Sequence, residues 1–472
     1  MNFHHRRLRL AFLCLIALIS VATDVFAGLR VHPSNPRYFT DSSGRAIYLG
    51  GHQIFVDLQD NTFDRAYTYG FQELLDWPQY IQFAKERHLN YVRNWTDFTT
   101  GSASGVVATP MPYMRVSGYG NANDGYPKFD LYQFEQSYFD DMRSRAIDLG
   151  NNGIFLSIML FDVYAFPAWG WGGNLFNSDN NINGIDTDDN HNGEGLEFFF
   201  SPSAEVRNLQ KTYVEKVIAT VGDLDNVMLE IANELGAHDW QFDMLNHVKD
   251  HGGLAMLSPG GLMADGVGYN SFSIDEALNS RADVLAMAPS WGDFANDPPI
   301  NNSGRPAVID MDHIATWWNV GSISIDPQIP WRAFTRGYHY ILYDAPFEAP
   351  EIESSAWELV RRSIGGTVIY ANKVNLAALE PSTSISSTGY ALANPGTEYL
   401  IYNPNSGSFT VSLAAGSYAY EWFDPNTAQV VETGSVNANE GSMSFSPPFN
   451  DGSVLYLRAF GSTSTSTSPS PT

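Results

Sequence analysis

The chain reads as an α/β protein: a (β/α)8 barrel followed by a small all-β sandwich. Two patterns predict this. Eight short apolar runs alternate with amphipathic stretches over about 350 residues, the count of such a barrel. Beyond them, residues 385 to 460 hold short β-like runs broken by Asn, Gly and Pro at about ten-residue intervals, with no helical period. Composition agrees. Of 472 residues, 44% are hydrophobic and 17% charged, ordinary values for a chain that buries a large core. A doubly wound open sheet is the structural alternative. No Gly-rich phosphate loop follows the first strand, which weighs against a nucleotide-binding version.

Residues 1–27 read as a cleavable signal peptide. Arg6, Arg7 and Arg9 precede a mostly apolar run, Leu10 to Ala22, that is too short to span a bilayer. Val25-Phe26-Ala27 offers small residues for cleavage. The expected location is therefore secreted or periplasmic, with no membrane span after cleavage. The single Cys, Cys14, lies in that segment, so the remainder relies on its core rather than on disulfides.

Residues 28–384 form the expected barrel. Its strands are read at Ile47–Gly50, Tyr91–Trp95, Ile154–Phe161, Val227–Ala232, Leu254–Leu257, Val284–Met287, Ala307–Asp310 and Tyr340–Tyr343. Helices fall between them. Ser201 to Thr220 has Pro202 in its first turn and Val206, Leu209, Tyr213 and Val217 on one face. Phe134 to Leu149 is another. The sandwich occupies 385–460, with strands near 398–402, 408–413, 418–423, 430–433, 442–445 and 453–457. Residues 461–472 are a Ser/Thr/Pro-rich tail that cannot bury apolar area.

Charge excludes one class of partner. With 26 basic against 52 acidic residues, the net charge is -26, and nothing here would neutralise nucleic-acid phosphates. Several catalytic chemistries also lack their residues. No Gly-x-Ser-x-Gly elbow occurs. His247 and His251 form a His-x-x-x-His, but Val248 stands where a zinc protease needs Glu, and the motif falls in an expected helix that leads into strand five, away from the barrel mouth. Paired-carboxylate chemistry remains. Its commonest use in a secreted barrel rich in Trp and Tyr is glycoside hydrolysis.

In such a barrel the chemistry sits at the C-terminal ends of the strands. Strand two ends in Arg93-Asn94-Trp95-Thr96-Asp97, strand three in Phe161-Asp162, and strand four in Asn233-Glu234. Strand seven ends in Asp310-Met311-Asp312-His313 and strand eight in Tyr343-Asp344. Glu234 is the expected proton donor. Asp312 is the expected nucleophile or base, and Asp310 the alternative. Asp310 and Asp312 are two apart, so a regular strand would aim both at the barrel axis. Glu230 shares parity with Glu234 but lies deeper, as a buried partner for Arg93. Candidate sugar contacts are Asn233, Arg93, His52, Trp95, Asp97, Trp240, His313, Trp317 and Asp344. His52 and His313 can equally be scaffold, the tryptophans core, and Asp97 and Asp344 solvated loop acids.

Asn233-Glu234 resembles the Asn-Glu of clan A glycoside hydrolases. That resemblance implies a Glu acid/base at 234, an Asn on the sugar 2-hydroxyl, a strand-seven nucleophile, and Arg93 in support. It also implies retention of anomeric configuration. One departure stands out: the clan uses Glu on strand seven, and this chain offers Asp, one methylene shorter. That would widen the gap between the carboxyls unless the backbone moves in, and inverting enzymes hold theirs roughly 6.5–9.5 Å apart against roughly 5–5.5 Å in retaining ones, so inversion is the alternative outcome. A wider resemblance covers most of the chain. Gly50-Gly-His-Gln53, Leu58-Gln59-Asp60, Asn181 to Asp186 and Asp310-Met-Asp-His313 are similar to a group of secreted bacterial cellulase-like barrels near the apiosidase-like hydrolases. Ala393 to Leu400 and Tyr420 to Pro425 resemble the small β-domain that closes those proteins, a collagen-binding-type domain in name.

The loop from Asp186 to Glu194 is a candidate calcium loop. Asp188-x-Asn190-x-Asn192-Gly193 matches the first half of an EF-hand, but Phe199 occupies the twelfth position. The candidate ligands are Asp186, Asp188, Asn190 and Asn192; a solvated acidic loop is the alternative. The expected reaction needs no cofactor. The expected protein is a monomer that takes a carbohydrate substrate. The rival from another class is a non-catalytic carbohydrate-binding or adhesion protein on the same scaffold.

Overall fold

The computed structural model describes residues 28–54, 58–63, 76–100, 106–259, 271–314, 325–347 and 352–461. Eight parallel strands close a barrel: β1 (Gly50–Ile54), β2 (Tyr91–Trp95), β3 (Phe155–Asp162), β4 (Val227–Asn233), β5 (Ala255–Leu257), β6 (Val284–Ala286), β7 (Ala307–Asp310) and β8 (His339–Tyr343). They neighbour one another in chain order, and β8 pairs β1 to complete the ring.

Seven of the strands fall within a few residues of their sequence reading, because a buried parallel strand is a continuous apolar run. The first begins at Gly50, where the reading ended it. Ile47 instead exchanges backbone hydrogen bonds with Phe39 below the barrel. Two glycines explain the shift. A Cβ on Gly51 would sit 1.7 Å from the Tyr91 carbonyl oxygen of β2, and one on Gly50 would meet Val368 and Ile364 at 2.9 and 3.2 Å. Only glycine permits that approach. The N-terminal end of the barrel is closed by Leu29, Phe39, Leu49, Tyr91, Met228, Met256, Val284, Val308 and Ile341. The open end is therefore the C-terminal one.

The outer layer comprises α1 (Trp77–Glu86), α2 (Gln136–Asn151), α3 (Ala204–Val221), α4 (His238–Asp250), α5 (Ile274–Asn279), α6 (Ile329–Thr335) and α7 (Ser355–Lys373). Several starts are capped by side chains. Ser203 accepts the Val206 N–H, and Ser273 with Glu276 forms a reciprocal capping box. Val206, Leu209, Tyr213 and Val217 of α3 are buried, as their spacing predicts. No described helix is long and apolar enough to cross a membrane.

Strands β9 (Glu380–Ser382), β10 (Ala391–Asn394), β11 (Glu398–Asn403), β12 (Phe409–Leu413), β13 (Gly416–Asp424), β14 (Gln429–Ala438), β15 (Gly441–Phe445) and β16 (Ser453–Ala459) follow. Six form an antiparallel sheet in the order β9-β10-β11-β16-β13-β14, and β12 pairs β15 separately. The sheet starts at Glu380, slightly before residue 385. It buries both faces. Tyr399, Ile401, Trp422 and Leu455 meet Phe409, Val411 and Phe445 of the two-stranded sheet. Leu400, Tyr402, Phe423 and Tyr456 meet Trp331 of α6 and Tyr370 of α7. The alternation of successive residues sends one set to each side. Ring centroids of Tyr370 and Phe423 lie 4.9 Å apart, and Lys373 pairs with Glu421 at the margin.

Candidate active site

Arg93 is the centre of the barrel interior. It is fully buried on β2 and inherits five donors to place. Nε and Nη2 donate to the two Glu230 oxygens, both at 2.7 Å, in a bidentate pair. Nη2 also donates to Asn233 Oδ1 at 2.7 Å, and Nη1 to Gln53 Oε1 at 2.5 Å. Nη1 further lies 3.3 Å from Asp310 Oδ2 and 3.5 Å from Asp312 Oδ2. Burial works against the guanidinium charge. The Glu230, Asp310 and Asp312 carboxylates outweigh it and hold Arg93 charged. Glu230 is thus the buried partner its depth suggested, and Ser258 donates to its second side.

Glu234 follows the last residue of β4. It is half-buried and left-handed, with φ 44°. A non-glycine residue there costs roughly 1–2 kcal/mol, a strain typical of functional positions. The twist turns Glu234 out of the strand alternation while Asn233 stays bonded to Arg93. Tyr164 O–H donates to Glu234 Oε2. Tyr164 is carried by a short turn, Val163–Ala165, whose first free N–H groups are capped by Asp162: Oδ1 accepts the Tyr164 N–H at 3.0 Å. Asp162 pairs in register with Asn233 across β3 and β4. Burial pushes its carboxyl up to about 8, with Asp97 and Glu234 adding to the rise and Arg93 opposing it. Burial likewise pushes Asp97 up to about 6, against hydrogen bonds from Thr99 and Phe98. One strongly acidic wall of the mouth therefore carries a proton at neutral pH.

The β7 acids are not alike. The strand ends at Asp310, and a one-turn helix, Met311–Ile314, begins at once. The expectation of two acids side by side on a regular strand is corrected accordingly: Asp312 stands on the helical turn. Asp310 Oδ1 accepts the Asp312 N–H at 3.0 Å, which fixes that turn. The Asp310 side chain is 1% exposed and the Asp312 side chain 13%. Burial raises the Asp310 carboxyl despite Arg93. Asp312 is the β7 acid that a ligand at the mouth can reach.

The fold has well-populated company. A solved glycoside hydrolase superposes with TM-score 0.56 at 12% identity, covering 93% of this chain and 98% of its own. A glycoside hydrolase family 5 structure from Bacteroides vulgatus gives 0.56 at 12% identity, covering 92% and 93%. A second structure from Bacteroides vulgatus, described as a putative glycoside hydrolase, gives 0.57 at 14%, covering 93% and 83%. The chain shares their fold. No protein-family model and no curated protein matches the sequence.

The remaining candidates divide. Trp95 has the inward parity of Arg93, whose guanidinium carbon lies 5.4 Å from its ring centre. Asp97 is buried and bonded to the Thr99 N–H at 2.8 Å. His52 and Asp344 leave the site. On β1 it is Gln53 that points inward, so His52 points outward, between Tyr80 and Phe83 of α1 and Phe347. Its Nδ1 lies 3.0 Å from Asp344 Oδ2, and Arg361 of α7 grips Asp344 through Nε and Nη2. Trp240 is likewise core: it packs on Phe161 and Phe199, and its Nε1 donates to Gln210 at 3.0 Å. Trp317 lies outside the described residues. His313 falls on the turn that carries Asp312.

In the acidic loop the side-chain oxygens already accept local N–H groups. Asp186 takes that of Asp188, Asp188 those of Asn192 and Gly193, Asn190 that of Asn192, and Asn192 that of Glu194. Tyr164, Asp162 and Gln53 were not among the sequence candidates. The Phe161-Asp162 strand end was the one visible signal.

Proposed function

We propose that the protein is a secreted glycoside hydrolase that cleaves a poly- or oligosaccharide with retention of configuration. One observation carries this: Asn233, the residue before Glu234 at the end of β4, and Asp312, just past the end of β7, both meet one buried arginine, which bonds Asn233 at 2.7 Å and lies 3.5 Å from Asp312. Fold kinship with solved glycoside hydrolases supports it.

In the proposed reaction Glu234 gives its proton to the glycosidic oxygen as that bond breaks. Asp312 attacks the anomeric carbon and forms a glycosyl ester. Water then attacks the same carbon, Glu234 takes its proton, and the Asp312 carboxylate leaves. Arg93 stays charged and keeps Asp312 ionised for the attack. Asn233, fixed by Arg93, is placed for the sugar 2-hydroxyl. Tyr164 orients Glu234 in the free enzyme. The C-terminal sheet serves as a cap over α6 and α7.

A panel of aryl-glycosides and plant and algal polysaccharides tests the proposal. Release of sugar or phenol by the wild type, and its loss in Glu234→Gln, is the expected result. Sugar binding with no turnover on any substrate would favour the non-catalytic carbohydrate-binding reading.

A further inference from the structure

We propose that Glu215, His247 and His251 form a binding site for a zinc-type divalent metal ion on the outer wall of the barrel, tying α3 to α4. His247 and His251 sit one helical turn apart at the end of α4, with ring centroids 4.3 Å apart. Glu215 reaches them from α3. Its Oε1 lies 3.1 Å from His247 Nε2 and 3.7 Å from His251 Nε2. All three ligand atoms fall within 4.8 Å of one another, and no other such group of His, Cys, Asp or Glu occurs among the described residues. Ligands on bonds of roughly 2.0–2.2 Å at tetrahedral angles stand roughly 3.3–3.6 Å apart, a range that the two Glu215–imidazole distances bracket.

His251 Nδ1 lies 2.8 Å from the His247 carbonyl oxygen. A carbonyl only accepts, so Nδ1 carries the hydrogen. That leaves Nε2, on the Glu215 side of the ring, as the nitrogen whose lone pair can take a metal ion. His247 Nε2 is buried and has no hydrogen-bond partner, although the same carboxylate is close. A cation between the three atoms would give His247 Nε2 a partner and use the His251 nitrogen and the Glu215 carboxylate as ligands. The Nδ1–H to carbonyl bond is also how metal-bound histidines are commonly oriented. The neighbouring charges are already engaged: Lys211 with Asp243 at 3.1 Å, and Asp250 with Arg281 at 2.7 Å.

The place in the fold assigns the role. His251 precedes β5 by a few residues, so the cluster lies toward the barrel end opposite the mouth. Three protein ligands leave a fourth position for water. Val248 is buried where a hydrolytic site would want a base. The ion would brace the two helices that flank β4, the strand bearing Glu234, without joining the reaction.

The test uses the full-length chain without an affinity tag, stripped with EDTA and titrated with zinc chloride by calorimetry and native mass spectrometry. About one equivalent should bind at micromolar affinity or tighter, and the melting temperature should rise by several degrees. His251→Ala, at a largely exposed position, should weaken binding at least tenfold with an unchanged melt in EDTA. Glu215→Gln should weaken it too. Calcium should neither bind here nor compete. A wild type that takes up no zinc, or a His251→Ala protein that binds it equally well, overturns the proposal. Neither result bears on turnover by Glu234.

Discussion

Arg93, inside the barrel, and Arg361, on α7 outside it, are both buried, and both hold aspartates at strand ends. Arg93 faces inward and is outnumbered: Glu230, Asp310 and Asp312 surround it, and Asp312 keeps part of its surface toward the mouth. Arg361 reaches from α7 to the outer face of the barrel, where it pairs with Asp344 and Glu353 and lies over the Phe83 ring, while His52 bonds Asp344 from the other side. Both clusters rigidify the fold. Only the first lies inside the barrel, with Asp312 just past the C-terminal end of β7. Position inside the barrel at the C-terminal ends of its strands, rather than the number of carboxylates around a buried arginine, separates the proposed site from scaffold here.

The largest expected effects separate the two regions. Glu234→Gln should lower turnover by roughly 10²–10⁴-fold, the size of a general-acid contribution, with an unchanged melt by circular dichroism. Asp344→Asn should do the reverse. Breaking a buried ion pair costs about 3–5 kcal/mol, so denaturant midpoints should fall sharply while the folded fraction keeps its kcat. Burial opposes ionisation of Asp344, yet bonds from His52 and Arg361 hold its carboxyl below the ordinary range. Its contribution is present above the unfolded value and is lost as pH falls through the folded one.

The next contrast lies inside the Arg93 cluster. Asp312→Asn should abolish most turnover. Asp310→Asn should retain a hydrogen-bond acceptor for the Asp312 N–H and lose less, measured as kcat on the same substrate. Equal losses would mean that the more buried acid takes part directly.

A smaller effect concerns Asp162. An acid whose folded-state pKa is raised binds its proton more tightly in the native state. Between the unfolded value of about 3.9 and about 8, stability attributable to Asp162 therefore falls as pH rises, and it is flat above. Asp162→Asn should remove that slope. Its melting temperature should match the wild type near pH 4 and exceed it by a few degrees at pH 8 and above. A constant difference across that range would show that Asp162 does not hold the proton.

Much of this was legible in the chain because parallel strands bury both faces and so read as apolar runs. Arg93, Asn233-Glu234 and the β7 acids could be placed by strand order alone. Side-chain direction was harder. Placing β1 at 47–50 rather than 50–54 loses the parity that turns His52 outward and Gln53 inward, because one residue of register reverses every side chain. Asp312 left its strand because the chain turned helical at Met311, which no apolar pattern signals. Tyr164 sits in an irregular turn held by Asp162, a contact without periodicity. The cap was easier: adjacent large residues such as Trp422 and Phe423 require a sheet buried on both sides.

The smallest expected effect belongs to the 186–194 loop. If it takes calcium, the melt should rise by a degree or two between chelator and millimolar calcium, in His251→Ala as in the wild type. No shift would leave those acids as a solvated loop.

The central claim is that Glu234 acts with Asp312 across the Arg93 network. It is tested most directly by assaying the wild type, Glu234→Gln and Asp312→Asn side by side on the first glycoside of the panel that yields product. Two folded but inactive variants beside an active wild type are the predicted result. An active wild type whose turnover survives both substitutions would contradict the account.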